Sequence, residues 1–378
     1  MLKAAVVGVG KRAAAHIQTL KKLEGLYSLI AFYDLDRNRL NTVTKELNVR
    51  AYTDFKAMLE EAKPDVALVA VGPEGHNVLT KPLMEAGVHV LSETPIAMTM
   101  SCARQMMDVA KENKVVLEVA ENVPRWPKER LKQRLKSTGV LGGLKSFYLS
   151  YTSGSYHGMA AIRSLLGSEA SNVSLGEFPE PDTVLERASL GFPGVKGVYE
   201  SNRSRGNYWE IHGEKASLRG GELDLEGVKH PLKVEYAERE GVSILRRVGV
   251  ELKPPLYWDN PFKAYSLNSE DDVARADAWI SLYNAVVHGG KPDYGAENAV
   301  KDLELLIAVR ESAMRGGAEI RLPLSKDTSY EENIHRQFTQ VYGVDPLNTT
   351  VKDLKVQYTL PDVLSQLLYY GRVTKSPT

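Results

Sequence analysis

The sequence predicts an α/β fold: a doubly wound parallel sheet, followed by a C-terminal α+β domain with an open, mainly antiparallel sheet. Three observations carry this expectation. Short β-branched runs alternate with helical patterns through the first third of the chain, the order of a parallel sheet with helices on both faces. The first of these runs enters the glycine-rich turn Gly8-Val9-Gly10-Lys11-Arg12-Ala13. Beyond Pro124, strand patterns with Gly-rich or charged turns take over, as an antiparallel sheet requires.

The opening strand, residues 2–7, is apolar and ends at that turn. Gly8 permits a tight strand-to-helix turn, Gly10 lets the backbone approach a pyrophosphate, and Ala13 lets helix and strand pack closely. Phosphates would sit on the helix N-terminus, where unpaired N–H groups and the dipole favour negative charge. A helix-compatible stretch over residues 14–23, carrying His16, leads to a second apolar strand over 28–33 that ends at Asp34. An acid at that strand end accepts hydrogen bonds from adenosine ribose hydroxyls and repels a 2′-phosphate. The expected unit is therefore a Rossmann domain and the expected cofactor NAD, with NADP less favoured. Arg37 keeps NADP open, because a guanidinium there could meet a 2′-phosphate. A strand-turn-helix that binds nothing would share the glycines, but the acid lands where βαβ geometry requires it.

Further along, helices are expected at 53–62, 76–86 and 98–113, and buried strands at 65–71, 88–93 and 115–120, the last reaching Glu121-Asn122. After a helix at 128–137 and a strand at 145–151 come half-buried strands at 185–192, 197–201, 208–212, 216–219, 232–237 and 243–250. Long helices follow at 271–288 and 298–315, and residues 325–378 show a mixed pattern without a chemical motif. The expected division is a dinucleotide-binding domain over 1–122, a substrate and oligomerisation domain over 123–325, and an extension over 326–378 packing on the body. No internal repeat, low-complexity tract or heptad run is present.

A chain of 378 residues is long enough for two domains with sizeable cores. Lys+Arg and Asp+Glu each total 48, so no global basic field exists to gather nucleic acid or an anionic membrane. Cys102 is the single cysteine, which excludes an intramolecular disulfide and fits a reducing compartment. No apolar run approaches the ~18 residues of a membrane span and no signal segment opens the chain, so a cytoplasmic protein is expected. No spacing of His, Cys, Asp and Glu forms a metal cluster, and no Gly-x-Ser-x-Gly elbow or cysteine nucleophile occurs.

Several stretches together resemble the glucose-fructose oxidoreductase and inositol dehydrogenase family, Gfo/Idh/MocA. They are Gly8-Val9-Gly10 with His16, Asp34, residues 86–93, residues 157–167, Ile211-His212-Gly213-Glu214-Lys215-Ala216, Gly290-Lys291-Pro292, and the helix ending at Gly316-Gly317. The resemblance spans about residues 1–325. It implies an N-terminal dinucleotide domain, a C-terminal domain whose open sheet makes homodimer or homotetramer contacts, and sugar or polyol substrates. The candidate cofactor contacts are then Gly8, Gly10, Lys11, Arg12, Asp34, Arg37, Val71, His76, Glu93 and Asn122, with His76 near the nicotinamide ribose.

The family's catalytic set is a Glu-Lys-Pro lysine and the aspartate and histidine of an Asp-x-Gly-x-His motif. This chain reads Glu93-Thr94-Pro95 and Ser153-Gly154-Ser155-Tyr156-His157, so the lysine and the aspartate are both replaced. Alcohol oxidation needs a base to take the hydroxyl proton as hydride leaves. A threonine hydroxyl at Thr94 can position or polarise an oxygen but holds its own proton too tightly. A histidine titrates near neutrality, so His157 is the expected acid/base, with Tyr156 placed to relay a proton. Both also have plainer roles open to them, His157 as a helix cap or core residue and Tyr156 as a packing lid.

The segment between the 145–151 strand and His157 is shorter than in the family, leaving the substrate side to other segments. Arg125-Trp126 and Tyr257-Trp258 are candidates, since aromatic faces stack on sugar rings. Three functions are compatible with these residues. The first is an NAD(P)-dependent oxidoreductase moving a hydride between nicotinamide and a hydroxyl of a sugar, sugar derivative or cyclitol. The second is a redox-neutral NAD-dependent glycosidase or lyase acting by transient oxidation and elimination. The third is a non-catalytic dinucleotide-binding protein.

Overall fold

The computed structural model describes residues 1–354 and 362–372, apart from 46, 48, 181 and 240. In chain order the elements begin β1 (Leu2–Val7), α1 (Lys11–Lys22), β2 (Tyr27–Tyr33), α2 (Arg37–Thr44), β3 (Arg50–Tyr52), α3 (Phe55–Ala62), β4 (Val66–Val69), α4 (Pro73–Glu85), β5 (His89–Ser92), α5 (Met100–Glu112) and β6 (Leu117–Val119). Next come α6 (Pro127–Ser137), β7 (Leu144–Ser150), α7 (Ser155–Leu166), β8 (Asn172–Glu177), β9 (Val184–Phe192), β10 (Val195–Asn202), β11 (Tyr208–Gly213), β12 (Ala216–Arg219), β13 (Glu222–Leu225) and β14 (Val228–Pro231). The remainder are β15 (Lys233–Arg239), β16 (Val242–Val250), β17 (Leu256–Asp259), α8 (Glu270–His288), α9 (Gly295–Met314), β18 (Ile320–Arg321), α10 (Ser329–Tyr342), α11 (Val351–Leu354) and α12 (Asp362–Tyr370).

The first of two units comprises Met1–Glu121, Arg275–Val300 and Glu331–Ser365. Its sheet has the order β3-β2-β1-β4-β5-β6, and every pair is parallel. All four residues of β4 are buried, as expected of a strand covered on both faces. In α1 the buried residues Ala13, His16, Ile17 and Leu20 fall at helical spacing and form its inner stripe. Asp36, Asp54 and Thr99 cap α2, α3 and α5 by accepting backbone N–H bonds from the first turn.

Observed boundaries of the expected elements lie within about three residues of those read from the pattern, as is usual at fraying ends. Helix α2 and strand β3 of this unit were not foreseen, nor were α10 and α11 in the stretch read as mixed pattern. Helix α2 buries only Leu40, and β3 is three residues long, so neither writes a readable period into the sequence.

The chain is not divided into consecutive blocks. Residues 331–354 join the first unit through polar groups held by α4 and α5: Glu331 accepts from the Met100 N–H at 2.8 Å, Asn77 donates to the Pro346 carbonyl at 3.0 Å, and Lys81 and Gln105 both donate to Leu347 O.

The second unit comprises Asn122–Ala274, Lys301–Tyr330 and Gln366–Thr378. Its nine-stranded sheet runs β14-β13-β12-β11-β7-β10-β9-β8-β18, antiparallel except between β7 and β10. A separate antiparallel sheet joins β15, β16 and β17. The core forms where Leu131 and Leu135 of α6 and Met159, Ile162 and Leu165 of α7 join Phe147, Leu149, Trp209 and Ile211 of the large sheet. Strands β13 and β14 were not foreseen, since each is four residues long and mostly half-exposed or exposed, too short for alternation to show. Among the described residues no helix is long and apolar enough to cross a membrane.

Candidate functional site

The first unit holds a cavity of about 310 Å³ at the β1–α1 turn, lined by Gly8, Gly10, Lys11, Arg12, Asp34 and Val71 among the expected contacts. The two glycines are required for different reasons. Gly8 has φ +86°, and a Cβ there would lie 2.5 Å from the Ala70 carbonyl oxygen, so only glycine completes the turn. Gly10 has an ordinary extended backbone and is the N-cap of α1, with no side-chain cap bond. A Cβ at Gly10 would meet nothing within 4 Å. Its missing side chain leaves the first turn of α1 open to an anion, the arrangement that suits a pyrophosphate.

Asp34 ends β2 and is 8% exposed. Its Oδ2 accepts from the Val9 N–H and its Oδ1 from the Asp36 N–H, each at 2.9 Å. One bond ties the carboxylate to the β1–α1 turn and the other to its own loop, so it is fixed in orientation while each oxygen keeps a lone pair for ribose hydroxyls. These features fit a dinucleotide.

Glu93 is placed differently from a direct ligand contact. It is buried beneath Arg12, whose Nε donates to Glu93 Oε1 at 2.5 Å, while His16 Nε2 reaches the same oxygen at 2.7 Å. The Trp279 indole N–H donates to His16 Nδ1 at 3.0 Å. An imidazole that accepts at Nδ1 must carry its proton on Nε2, and burial lowers the His16 pKa, so His16 is neutral and donates to Glu93. Arg12 is the cation of the cluster. Burial alone would raise the Glu93 pKa, but the His16 hydrogen bond and the Arg12 charge hold it at about 2. Glu93 therefore aims Arg12, which does line the cavity.

The depressed Glu93 pKa makes a stability prediction. The Glu93 contribution is fully present above the unfolded carboxyl value near 4.5 and is lost as pH falls through about 2. Denaturant melts of the wild type should lose on the order of 3 kcal/mol from this group across that window. Glu93→Gln should be less stable near neutrality, and its loss across this window should be smaller by about that amount, other depressed carboxylates such as Glu169 supplying the rest; an unchanged loss would refute the arrangement.

Four expected contacts do not line this cavity. Arg37 is exposed at the start of α2, and Arg39, paired with Asp36 at 3.4 Å, reaches the cavity instead. His76 is fully buried, its Nδ1 bonded to Pro95 O at 2.7 Å and its Nε2 3.1 Å from Val71 O, so it shapes the wall from behind. Glu93 acts through Arg12, as above, and Asn122 belongs to the second unit. Thr94 is half-buried and donates its N–H to Glu93 Oε2 at 3.1 Å.

In the second unit His157 is the third residue of α7, half-buried and packed against Tyr156, ring centroids 4.3 Å apart, with Tyr151 at 6.3 Å. Gly158 lets α7 approach the sheet, since a Cβ there would lie 2.8 Å from the Tyr199 ring. A cavity of about 430 Å³ in this unit is lined by Trp126, Trp209, Tyr151, Asn207, Asp271 and the Glu129–Lys132 pair, among others. Trp126 Nε1 and Asn122 Nδ2 both donate to Asp271 Oδ1, at 3.3 and 3.0 Å. Asn207 bonds the Thr152 N–H at 2.9 Å and Ser153 Oγ at 3.0 Å, tying the cavity wall to the turn that leads to His157.

Arg125, Tyr257 and Trp258, also candidates for the substrate side, do not line this cavity. Arg125 is 1% exposed. Tyr257 sits on β17 with the Arg247 guanidinium 3.7 Å over its ring and its hydroxyl donating to Glu251. Among the described residues no group of three or more His, Cys, Asp or Glu could hold a metal.

Residues 2–121 match the oxidoreductase family GFO_IDH_MocA, described as an NAD-binding Rossmann fold. Residues 2–121 belong to the Gfo/Idh/MocA family. Over 351 residues the chain is 24% identical to D-apiose dehydrogenase of Paraburkholderia graminis, covering 83% of this chain and 88% of that protein. It is 28% identical over 152 residues to glycosyl hydrolase family 109 protein 1 of Akkermansia muciniphila, spanning 38% of this chain and only 32% of that protein's length. The fold is similar to that of the WlbA dehydrogenase from Bordetella pertussis, solved with NADH and UDP-GlcNAcA: TM-score 0.66 and 17% identity, covering 86% of this chain and 98% of that one.

Within the first unit, sequence reasoning missed Arg39, Glu74, Leu79 and the distant Tyr342, Val351 and Leu354 as cavity residues. Arg39 stands two residues beyond Arg37 on the same helix turn, and only the course of α2 separates them. No local signal marks the last three, which arrive from the far end of the chain.

Proposed function

We propose that this protein is an NAD-dependent oxidoreductase acting on a hydroxyl of a sugar, sugar derivative or cyclitol. The observation that carries the reading is the β1–α1 cavity, with its uncapped helix start at Gly10 and the fixed carboxylate of Asp34. When bound, the nicotinamide supplies a hydride acceptor or donor. The chain's residues do the rest: Arg12, aimed by Glu93, and the first turn of α1 hold phosphate charge, and His157 takes or returns the hydroxyl proton.

The second-unit cavity supports a carbohydrate substrate. Two indole faces, a tyrosine, an amide and a carboxylate give both apolar stacking surface and hydrogen-bond acceptors, which is what a polyhydroxylated ring needs. Several relatives named as sugar dehydrogenases support the same substrate class. The test is NADH formation from NAD, or its reverse, over a panel of sugars, sugar nucleotides and cyclitols; no turnover on any member would refute the reading.

One observation favours a second reading, in which NAD stays bound and the net reaction is glycoside cleavage: relatives named glycosyl hydrolase family 109 match part of the chain. A transient ketone acidifies the neighbouring C–H, so a histidine or tyrosine suffices and no carboxylate pair is needed. Release of an aglycone without accumulating NADH, with solvent deuterium appearing at C2, would decide for it.

A further inference from the structure

We propose that residues 331–354 form a strap that completes an adenine subsite in the dinucleotide cavity, with Tyr342, Val351 and Leu354 as its apolar wall and Glu74 as the acceptor for the purine exocyclic amine. This rests on the NAD reading above and extends it to segments beyond the region matched by the family.

Three independent features support it. First, the cavity that starts at Gly10 and Asp34 continues past Leu35 to a wall made by Leu79 of α4 together with Tyr342, Val351 and Leu354. A largely apolar wall in the cavity that also holds Asp34 suits a purine ring. Leu354 is 9% exposed, and its Cδ1 would lie 3.6 Å from a Cβ built on Gly75, so strap and α4 are in close contact.

Second, the strap is anchored by specific polar contacts. Glu331 accepts from the Met100 N–H at the start of α5. His335 bonds Thr99 Oγ1 through Nε2 at 3.0 Å and Asp345 Oδ2 through Nδ1 at 2.9 Å. Asn77, Lys81 and Gln105 then hold the carbonyls of Pro346 and Leu347, and Thr350 with Asp353 closes the turn into α11. This spacing of anchors delivers Val351 and Leu354 to the cavity.

Third, Glu74 lines the same cavity, and its Oε2 is buried without a hydrogen-bond partner. A buried acceptor left unmet is costly unless something supplies a donor, and an adenine amine is such a donor.

The experiment is calorimetric binding of NAD, ADP-ribose and the hypoxanthine analogue of NAD to the full-length protein. Tyr342→Ala with Leu354→Ala should weaken NAD and ADP-ribose together, by about tenfold or more, while Tyr342→Phe stays within about twofold of wild type. The wild type should prefer NAD over its hypoxanthine analogue by about tenfold, and Glu74→Ala should bring the two within about twofold. If the wild type binds neither NAD nor ADP-ribose, the dinucleotide reading itself fails. If it binds both, and the double variant melts like wild type yet binds as tightly, the strap is overturned. Should the double variant not fold, the analogue preference decides: its absence in the wild type, or its persistence in Glu74→Ala, overturns the subsite.

Discussion

Gly10→Val should abolish tight NAD binding while leaving the fold intact, whereas Gly8→Ala should do the reverse damage. At Gly10 the backbone has φ −74° and ψ −173°, which valine adopts readily, and the added side chain has no neighbour within 4 Å. The cost to the helix is only the weaker N-cap preference, on the order of 1 kcal/mol or less. The isopropyl group would occupy the space over the first turn of α1, denying a pyrophosphate its approach to those N–H groups. Losing two charge-assisted hydrogen bonds costs about 3 kcal/mol or more, a fall in affinity of roughly a hundredfold or greater. Calorimetry checks this, and a Gly10→Val protein that binds NAD like wild type would displace the phosphate from that helix end. Gly8→Ala, by contrast, forces a Cβ at φ +86° into the Ala70 carbonyl and the Val71 side chain. It should lower stability by roughly 2–5 kcal/mol in a denaturant melt.

His157→Ala is expected to reduce kcat by roughly 10²–10⁴-fold once a substrate is found, with the NAD dissociation constant unchanged. The side chain is half-buried near the start of α7, and that helix is held against the sheet by Gly158 and its buried inner face, so its removal should leave the helix in place. In the hydride-transfer reading the limb of the pH–rate profile that reports the base should vanish with it. Thr94→Ala should cost far less, about tenfold or below, because its hydroxyl can position an oxygen but cannot carry the proton. If His157→Ala retains more than about half the wild-type rate, the acid/base role passes to another group and Tyr156→Phe becomes the informative variant.

The legible part of this protein was its first unit. The alternation of buried runs and helical patterns foretold five of the six parallel strands, and the glycine turn with Asp34 located the cavity, since six of the expected cofactor contacts line it. The second unit was readable in class but not in strand count: β8, β13, β14, β17 and β18 were not foreseen, and all but β8 are four residues or shorter. Among substrate candidates Trp126 lines the aromatic cavity, while Tyr257 serves its own sheet by stacking under Arg247.

What the sequence determined by itself is local. A strand that must turn at once into a helix needs glycine at Gly8, and an N-cap that must stay bare needs glycine at Gly10. A strand ending beside that turn presents whatever acid follows it, here Asp34. These constraints act over a few residues of backbone, so they are written in adjacent letters. The tertiary structure decided the long-range matters: that Glu93 meets His16 across 77 residues and bonds Arg12, and that Glu331 meets the start of α5 across 231 residues. Such contacts depend on where the chain returns, which hydrogen bonding and burial between distant segments settle and no local run of residues records. For that reason Tyr342, Val351 and Leu354 carried no motif, yet they line the same cavity as the opening glycines.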